Sequence, residues 1–254
     1  DFGALRQFLE MGRAQDLASF QAAVAMRQVP CFHIIYADRD GHLFYLYNAN
    51  VADRRYSGDV EEEEEGVVSR FDWSRPLPGD DPRYAWGPLI PPAQLPAAVN
   101  PPSGYVQASG TPPWGVATEI PIEQENYPDW FAADLDTYRA RRLRHLLNTG
   151  QHTFADMQSM AFDILVPFAL RAVPKLQAIL ESDEMAFAAL HPDVVVGMDV
   201  LKQWNYTADR NSPGMTLFHI WWASYRSMAP GAWRETALQD AFVSDQLDPR
   251  IAVD

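Results

Sequence analysis

Two short apolar runs separated by a tight turn set the frame for this sequence. Cys31-Phe32-His33-Ile34-Ile35-Tyr36-Ala37 follows the breaker Pro30 and is dense in aromatic and β-branched residues, and Leu43-Phe44-Tyr45-Leu46-Tyr47 repeats that character. Such residues suit the pleated, half-buried surface of a strand. Between the runs lies the turn sequence Asp38-Arg39-Asp40-Gly41, so the segment predicts a β-hairpin. Its first strand is apolar enough to be covered on both faces. Asp38 and Asp40 belong to that turn and not to a calcium loop, because the further ligands and distant Glu of an EF-hand are missing.

Around the hairpin the periodicity divides the chain. Leu17, Phe20, Ala23 and Val24 recur at three- and four-residue steps, which predicts an amphipathic helix over 16–26 with Asp16 or Ser19 as its cap. Residues 48–131 are rich in Pro, Gly and Trp, and read as irregular backbone over a scaffold, with short strand candidates at 104–107 and around 84–86. The run Glu61 to Glu65 reads as a solvated loop with no site role. From about Ala132 the pattern becomes helical. Leu135, Tyr138, Arg142 and Leu146 share one face, Thr153 with Asp156 resembles a capping box for a helix broken at Pro167, and further helices are predicted over 194–204 and 213–228. The division is therefore 1–131, a helix, hairpin and loop-rich part, and 132–254, a mainly helical subdomain, within an α+β class.

Charge and composition narrow the partners. With 34 acidic against 20 basic side chains, the formal charge of −14 repels phosphate backbones and anionic membrane surfaces. Nucleic acid is excluded as a partner, and no run of about 18 apolar residues provides a membrane span. The lone Cys31 rules out a disulfide framework and a cysteine-rich zinc site, and fits an intracellular or a periplasmic location equally well.

Few residue patterns announce chemistry. The six histidines never fall at the i, i+4 spacing with which two imidazoles grip one ion from a helix face, so no metal site is expected. His33, inside an apolar strand, is either a hydrogen-bonded core histidine or a pocket base. There is no Gly-x-Ser-x-Gly elbow and no phosphate-cradling glycine loop. Trp73, Trp86 and Trp114 near acidic residues suggest a carbohydrate-binding or glycosidase module on composition alone, and aromatic residues at this frequency are ordinary core material. Composition and spacing reach an α+β protein and go no further.

Longer stretches carry a resemblance. Val29-Pro30-Cys31-Phe32-His33-Ile34-Ile35-Tyr36-Ala37-Asp38-Arg39-Asp40-Gly41, followed by Tyr45, Asn48 and Arg54-Arg55, resembles the penicillin amidase family, closest to its cephalosporin and glutaryl acylases. Asn100-Pro101-Pro102-Ser103-Gly104-Tyr105-Val106-Gln107 with Pro112-Pro113-Trp114 is similar to a loop of that family. Tyr138-Arg139-Ala140 and Ser212-Pro213-Gly214 before Leu217-Phe218 extend the likeness over nearly the whole chain.

The resemblance implies an N-terminal nucleophile hydrolase with a four-layer αββα sandwich and an appended helical lobe. In such an enzyme a precursor cleaves itself, and the new amino-terminal serine attacks an amide with its own α-amino group as base. The expected activity is release of an acyl group from an amine such as a β-lactam nucleus or an acyl-homoserine lactone. The serine is expected before Asp1 and the returning sheet segment after Asp254, so the implied partners are the remainder of the precursor with its small subunit and a small N-acyl substrate. A periplasmic or secreted location is implied as well. No cofactor is expected, and a structural calcium is left open.

Four residues carry the implied site. Phe32 matches an aromatic lining the acyl pocket, against the alternative of plain core packing. Beside it, His33 replaces a usual asparagine. Arg139 matches an arginine supporting the catalytic centre, against the alternative of a surface salt bridge. Gly110 stands where the family has its oxyanion asparagine, since the chain reads Gln107-Ala108-Ser109-Gly110-Thr111. Ser109, Thr111 or a backbone N–H freed by Gly110 are the substitute donors. Loss of that asparagine also supports a non-catalytic, acylase-like binding protein.

Overall fold

The structure is a computed structural model that describes residues 2–54, 76–128, 130–132, 135–182, 192–229, 235–244 and 246. The glutamate run, Arg55 and Trp73 lie outside those residues. The chain divides into two compact units, Asp1–Asp134 and Leu135–Asp254.

The first unit opens with helices α1 (Gly3–Arg13) and α2 (Leu17–Val24). Asp16 caps α2: its carboxylate accepts the Ser19 N–H at 2.7 Å, and the Ser19 hydroxyl oxygen accepts the Asp16 N–H, a reciprocal capping box. The hairpin forms from β1 (His33–Ala37) and β2 (Leu43–Tyr47), antiparallel with His33 opposite Tyr47 and Ile35 opposite Tyr45. Phe32 stands just before β1 and not within it. A third strand, β3 (Ala97–Val99), pairs with β2, giving the order β1-β2-β3. Sequence periodicity misses β3, because three small residues among prolines carry no alternation.

The two faces of this sheet are covered unequally. Phe20 and Val24 of α2 pack on Ile34 and Phe44 of one face. On the other, Tyr45 and Ala98 pack against Val116 and Ile122 of the long connection. That loop layer covers β2 and β3 but leaves β1 open: Ile34 is buried, whereas Ile35 is 43% exposed. Among the described residues β1 is therefore an edge strand with only one of its faces covered, where the sequence predicted cover on both.

Two strand candidates are corrected as well. Residues 82–84 form a 3₁₀ turn. Residues 104–107 are extended without being a strand, since they are tied to 115–119 mostly through side chains. Ser103 Oγ donates to the Glu119 carbonyl at 3.3 Å, Tyr105 and Thr118 join hydroxyls, and a backbone bond runs from the Gln107 N–H to the Val116 carbonyl at 2.8 Å.

The second unit is helical among the described residues: α3 (Tyr138–Leu147), α4 (Phe154–Ala161), α5 (Ala169–Ser182), α6 (Pro192–Lys202), α7 (Pro213–Met228) and α8 (Glu235–Val243). Thr153 and Asp156 form the predicted box on α4, and Ser212 caps α7 with Pro213 at its first turn. Helix α5 runs through Pro174, which removes one intrahelical donor. It persists because Ala172, Val173 and Leu176 are buried in a core with Phe168, Phe218, Trp222 and Phe242.

Charged forks tie α3 to its surroundings. Arg141 reaches both oxygens of Asp240 at 2.8 and 2.7 Å, and Arg142 holds both oxygens of Asp163 at 2.9 Å. These guanidinium hydrogen bonds hold both carboxyls below the usual carboxylate range. Because the folded pKa values are depressed, the forks contribute fully above the unfolded value of ~4, and the contribution is lost as pH falls through the lowered folded values. Far-UV circular dichroism at 222 nm, recorded from pH 7 to 2, should therefore show helix loss beginning below pH ~4. Arg142→Met should weaken that dependence, and an unchanged acid profile in this variant would contradict the assignment.

Candidate functional site

The site residues of the first unit are held by the hairpin and the loop layer. His33 and Ile35 lie on the uncovered face of β1, next to Tyr45 and Tyr47 of β2. His33 Nδ1 is 2.9 Å from the Tyr45 hydroxyl, and the ring meets Tyr47 edge-on with centroids 5.3 Å apart. Tyr45 is fully buried, so its hydroxyl is the polar tip of a core residue and His33 is oriented by it. His33 is half-buried and is thus neither a core histidine nor a free surface one.

Phe32 adopts φ +87° and is 67% exposed. A left-handed backbone costs a residue with a Cβ about 1–2 kcal/mol, and an exposed aromatic ring regains none of that by burial. Among the described residues the Phe32 ring is displayed and joins no core cluster. Strain of this kind collects at functional positions and persists only where the surroundings over-determine it.

Gly110 lies at the tip of a loop closed at its neck. Gln107 bonds across that neck twice, through its N–H to Val116 and through Nε2 to the Gly115 carbonyl at 3.1 Å. Pro112 and Pro113 are buried under the tip. Gly110 itself is exposed with φ +74°, and its N–H has no acceptor among the described residues. Thr111 is 1% exposed, and its hydroxyl lies 3.4 Å from the Pro112 carbonyl, so this substitute donor faces inward. Ser109 is half-buried. Trp114 and Val116 beyond the tip pack in the same cluster as Tyr45, whose hydroxyl meets His33. One tyrosine thus links the Phe32-His33 corner to the Gly110 loop.

Arg139 belongs to the second unit, where it is exposed on α3 between the buried Tyr138 and Ala140. Two cavities lie elsewhere. One of 280 Å³ in the first unit is lined by Ile90, Tyr127 and Phe131, and one of 740 Å³ in the second by Trp204, Asn205 and Ser212. Neither contains Phe32, His33, Gly110 or Arg139. Among the described residues no group of three His, Cys, Asp or Glu side chains is placed to hold a metal ion. Asp38 is accounted for by the turn. Burial pushes its carboxyl up, but hydrogen bonds from the His42 N–H, the His42 ring and the Tyr36 hydroxyl outweigh this and bring it down to about 2.

With this geometry in hand, the comparisons are specific. The sequence profile described as Penicillin amidase matches residues 3–251. The chain belongs to the penicillin amidase family. Among solved structures it is similar to a thermostable penicillin G acylase from Alcaligenes faecalis, with a TM-score of 0.61 and 16% identity. The match covers 90% of this chain and 38% of that one. This family member therefore spans well under half the length of the acylase it matches, and the likeness is one of fold. It combines helices with a short antiparallel sheet, as the α+β reading requires.

One residue of the corner, Asn48, stood in the resembling motif but was given no role by the sequence. Asn48 is 3% exposed, and its side chain donates to the Val29 and Cys31 carbonyls at 2.9 and 3.0 Å. A polar residue directly after the apolar run of β2 was the available signal.

Proposed function

We propose that this chain is an internal portion of the large subunit of an amide hydrolase of the penicillin amidase type. The observation that carries the reading is the displayed aromatic at the open face of β1. Phe32 projects from the corner that His33 and Tyr45 build, and the same Tyr45 supports the loop ending in Gly110. On this reading the uncovered face of β1 is where a second sheet of an αββα sandwich packs, and polypeptide outside this chain supplies a serine exposed by self-cleavage.

The serine Oγ attacks the amide carbon while the α-amine takes its proton, and the tetrahedral oxyanion forms. The C–N bond breaks as the α-ammonium returns the proton to the leaving amine. Water hydrolyses the acyl ester by the same route in reverse order. The exposed Gly110 N–H and the Ser109 hydroxyl are the donors this chain offers the oxyanion in place of the asparagine. Arg139 is assigned to the supporting polar network. A β-lactam nucleus or a homoserine lactone on the amine side and an apolar acyl group against Phe32 are the proposed substrate features, in a periplasmic or secreted protein.

The test is Phe32→Ala in the full-length polypeptide, followed by release of 4-nitroaniline from N-acyl-4-nitroanilides. An exposed side chain contributes little to folding, so stability should change by no more than ~0.5 kcal/mol. Loss of a phenyl contact of ~1.5–3 kcal/mol should lower kcat/KM for the preferred acyl group about 10–100-fold relative to acetyl. Equal effects on every acyl length would contradict the pocket role.

A second reading, an acylase-like binding protein without turnover, is favoured by one observation: Gly110 has no side chain and the Thr111 hydroxyl faces inward. Amino-terminal sequencing and intact mass of the full-length product separate the two. A serine-initiated chain with amine release supports the hydrolase, and an uncut chain that binds N-acyl amides without releasing amine supports the binder.

A further inference from the structure

The corner before β1 is held more tightly than a surface turn requires. Gln7, the buried residue of α1, accepts the Gln28 N–H at 2.6 Å and the Val29 N–H at 2.9 Å through Oε1. Asn48 donates from Nδ2 to the Val29 and Cys31 carbonyls, and the Pro30 carbonyl accepts the Asn50 N–H at 2.9 Å. Pro30 has no N–H, and it restricts Val29 to extended backbone. The backbone N–H groups of Gln28 and Val29 are thus engaged, and so are the carbonyls of Val29, Pro30 and Cys31. The next residue is Phe32, the one with φ +87°.

A turn fixed at so many points dictates the direction in which the chain leaves it. Release into β1 then requires the left-handed step, and that step carries the Phe32 ring away from the sheet into solvent. A buried amide with two backbone acceptors is an economical clamp, because any substitution leaves two carbonyls near the core unsatisfied. We propose that Asn48 is a positioning residue: it clamps the Val29–Cys31 turn so that Phe32 is displayed, and thereby sets which acyl groups the protein accepts. This rests on the reading of Phe32 as the acyl-contacting aromatic.

The experiment is a double-mutant cycle in the full-length polypeptide, with N-acyl-4-nitroanilides from acetyl to decanoyl and phenylacetyl as probes. Phe32→Ala, Asn48→Ala and the double variant are compared by the ratio of kcat/KM for the preferred acyl group to that for acetyl. If Asn48 acts through Phe32, Asn48→Ala should lower the ratio about tenfold, and the double variant should fall no more than about threefold below Phe32→Ala alone. Multiplying effects, or an unchanged ratio in Asn48→Ala, overturn the proposal.

Peptide-resolved hydrogen exchange supplies a readout that needs no turnover. Asn48→Asp keeps the side-chain volume but removes the donor, and should speed exchange in the peptide spanning 28–34 about tenfold while helices α3 to α8 stay protected. Phe32→Gly, which relieves the left-handed strain, should slow exchange there in the native background and not in Asn48→Asp. Unchanged exchange at 28–34 in Asn48→Asp overturns the clamp even if every variant is inactive. Absence of amine release from the unsubstituted protein counts against the hydrolase reading alone, and the exchange arm then decides the clamp.

Discussion

Gly110→Asn is expected to raise kcat for N-acyl-4-nitroanilides about 10²–10³-fold, the size of the loss when one oxyanion donor is removed from a hydrolase. The backbone at this position has φ +74°, and asparagine is among the few residues with a Cβ that occupy that region at small cost. The tip is exposed, and the neck held by Gln107 positions it independently of the residue at the tip. An oxyanion donor acts on the transition state and not on the bound amide, so KM should move little while kcat rises. Gly110→Ala, which adds a Cβ but no donor, should give no gain. Equal behaviour of the two variants would mean that Gly110 does not face the developing oxyanion.

The second large effect concerns stability. Phe168 is 2% exposed and its ring meets Tyr138, Phe218, Trp222 and Phe242 at centroid distances between 4.5 and 6.1 Å. It joins α3, α7 and α8 from the turn that precedes α5. Truncating a fully buried phenyl ring leaves a cavity that such a junction cannot close, so Phe168→Ala should cost about 3–5 kcal/mol. Phe168→Leu, which refills most of the volume, should cost less than half of that. Urea unfolding followed by tryptophan fluorescence measures both, because Trp204, Trp221 and Trp222 share the core or its margin. A cost below about 1 kcal/mol for the alanine variant would show that the helices repack around the gap.

What was legible in the sequence follows from how local each interaction is. The hairpin was readable because β-branched and aromatic residues flank a turn, the caps of α2 and α4 because each spans three residues, and the start of α7 because Pro213 suits a first turn. Strand β3 was not, since Ala97–Val99 is extended only because β2 offers it a ladder. Helix α5 was hidden by Pro174, whose local preference is overruled by burial of its apolar face. Phe168 lies in no periodic pattern, so its place at the centre of the helical core had no sequence sign. At the site, the motif singled out Phe32 and Gly110, but an aromatic residue in left-handed backbone is the reverse of what propensity predicts. That conformation is held by Asn48 and Gln7, which reach the turn from just after β2 and from α1 across 17 to 22 positions of sequence.

On the proposed reading, this chain helps a serine from neighbouring polypeptide to take an acyl group from an amide. Mass spectrometry of the full-length protein, mixed with N-decanoyl-4-nitroanilide and quenched within its first turnovers, tests it most directly. A cleaved chain whose amino-terminal serine carries one acyl group is expected, together with an equal amount of free 4-nitroaniline. An uncleaved polypeptide without adduct or released amine would contradict it.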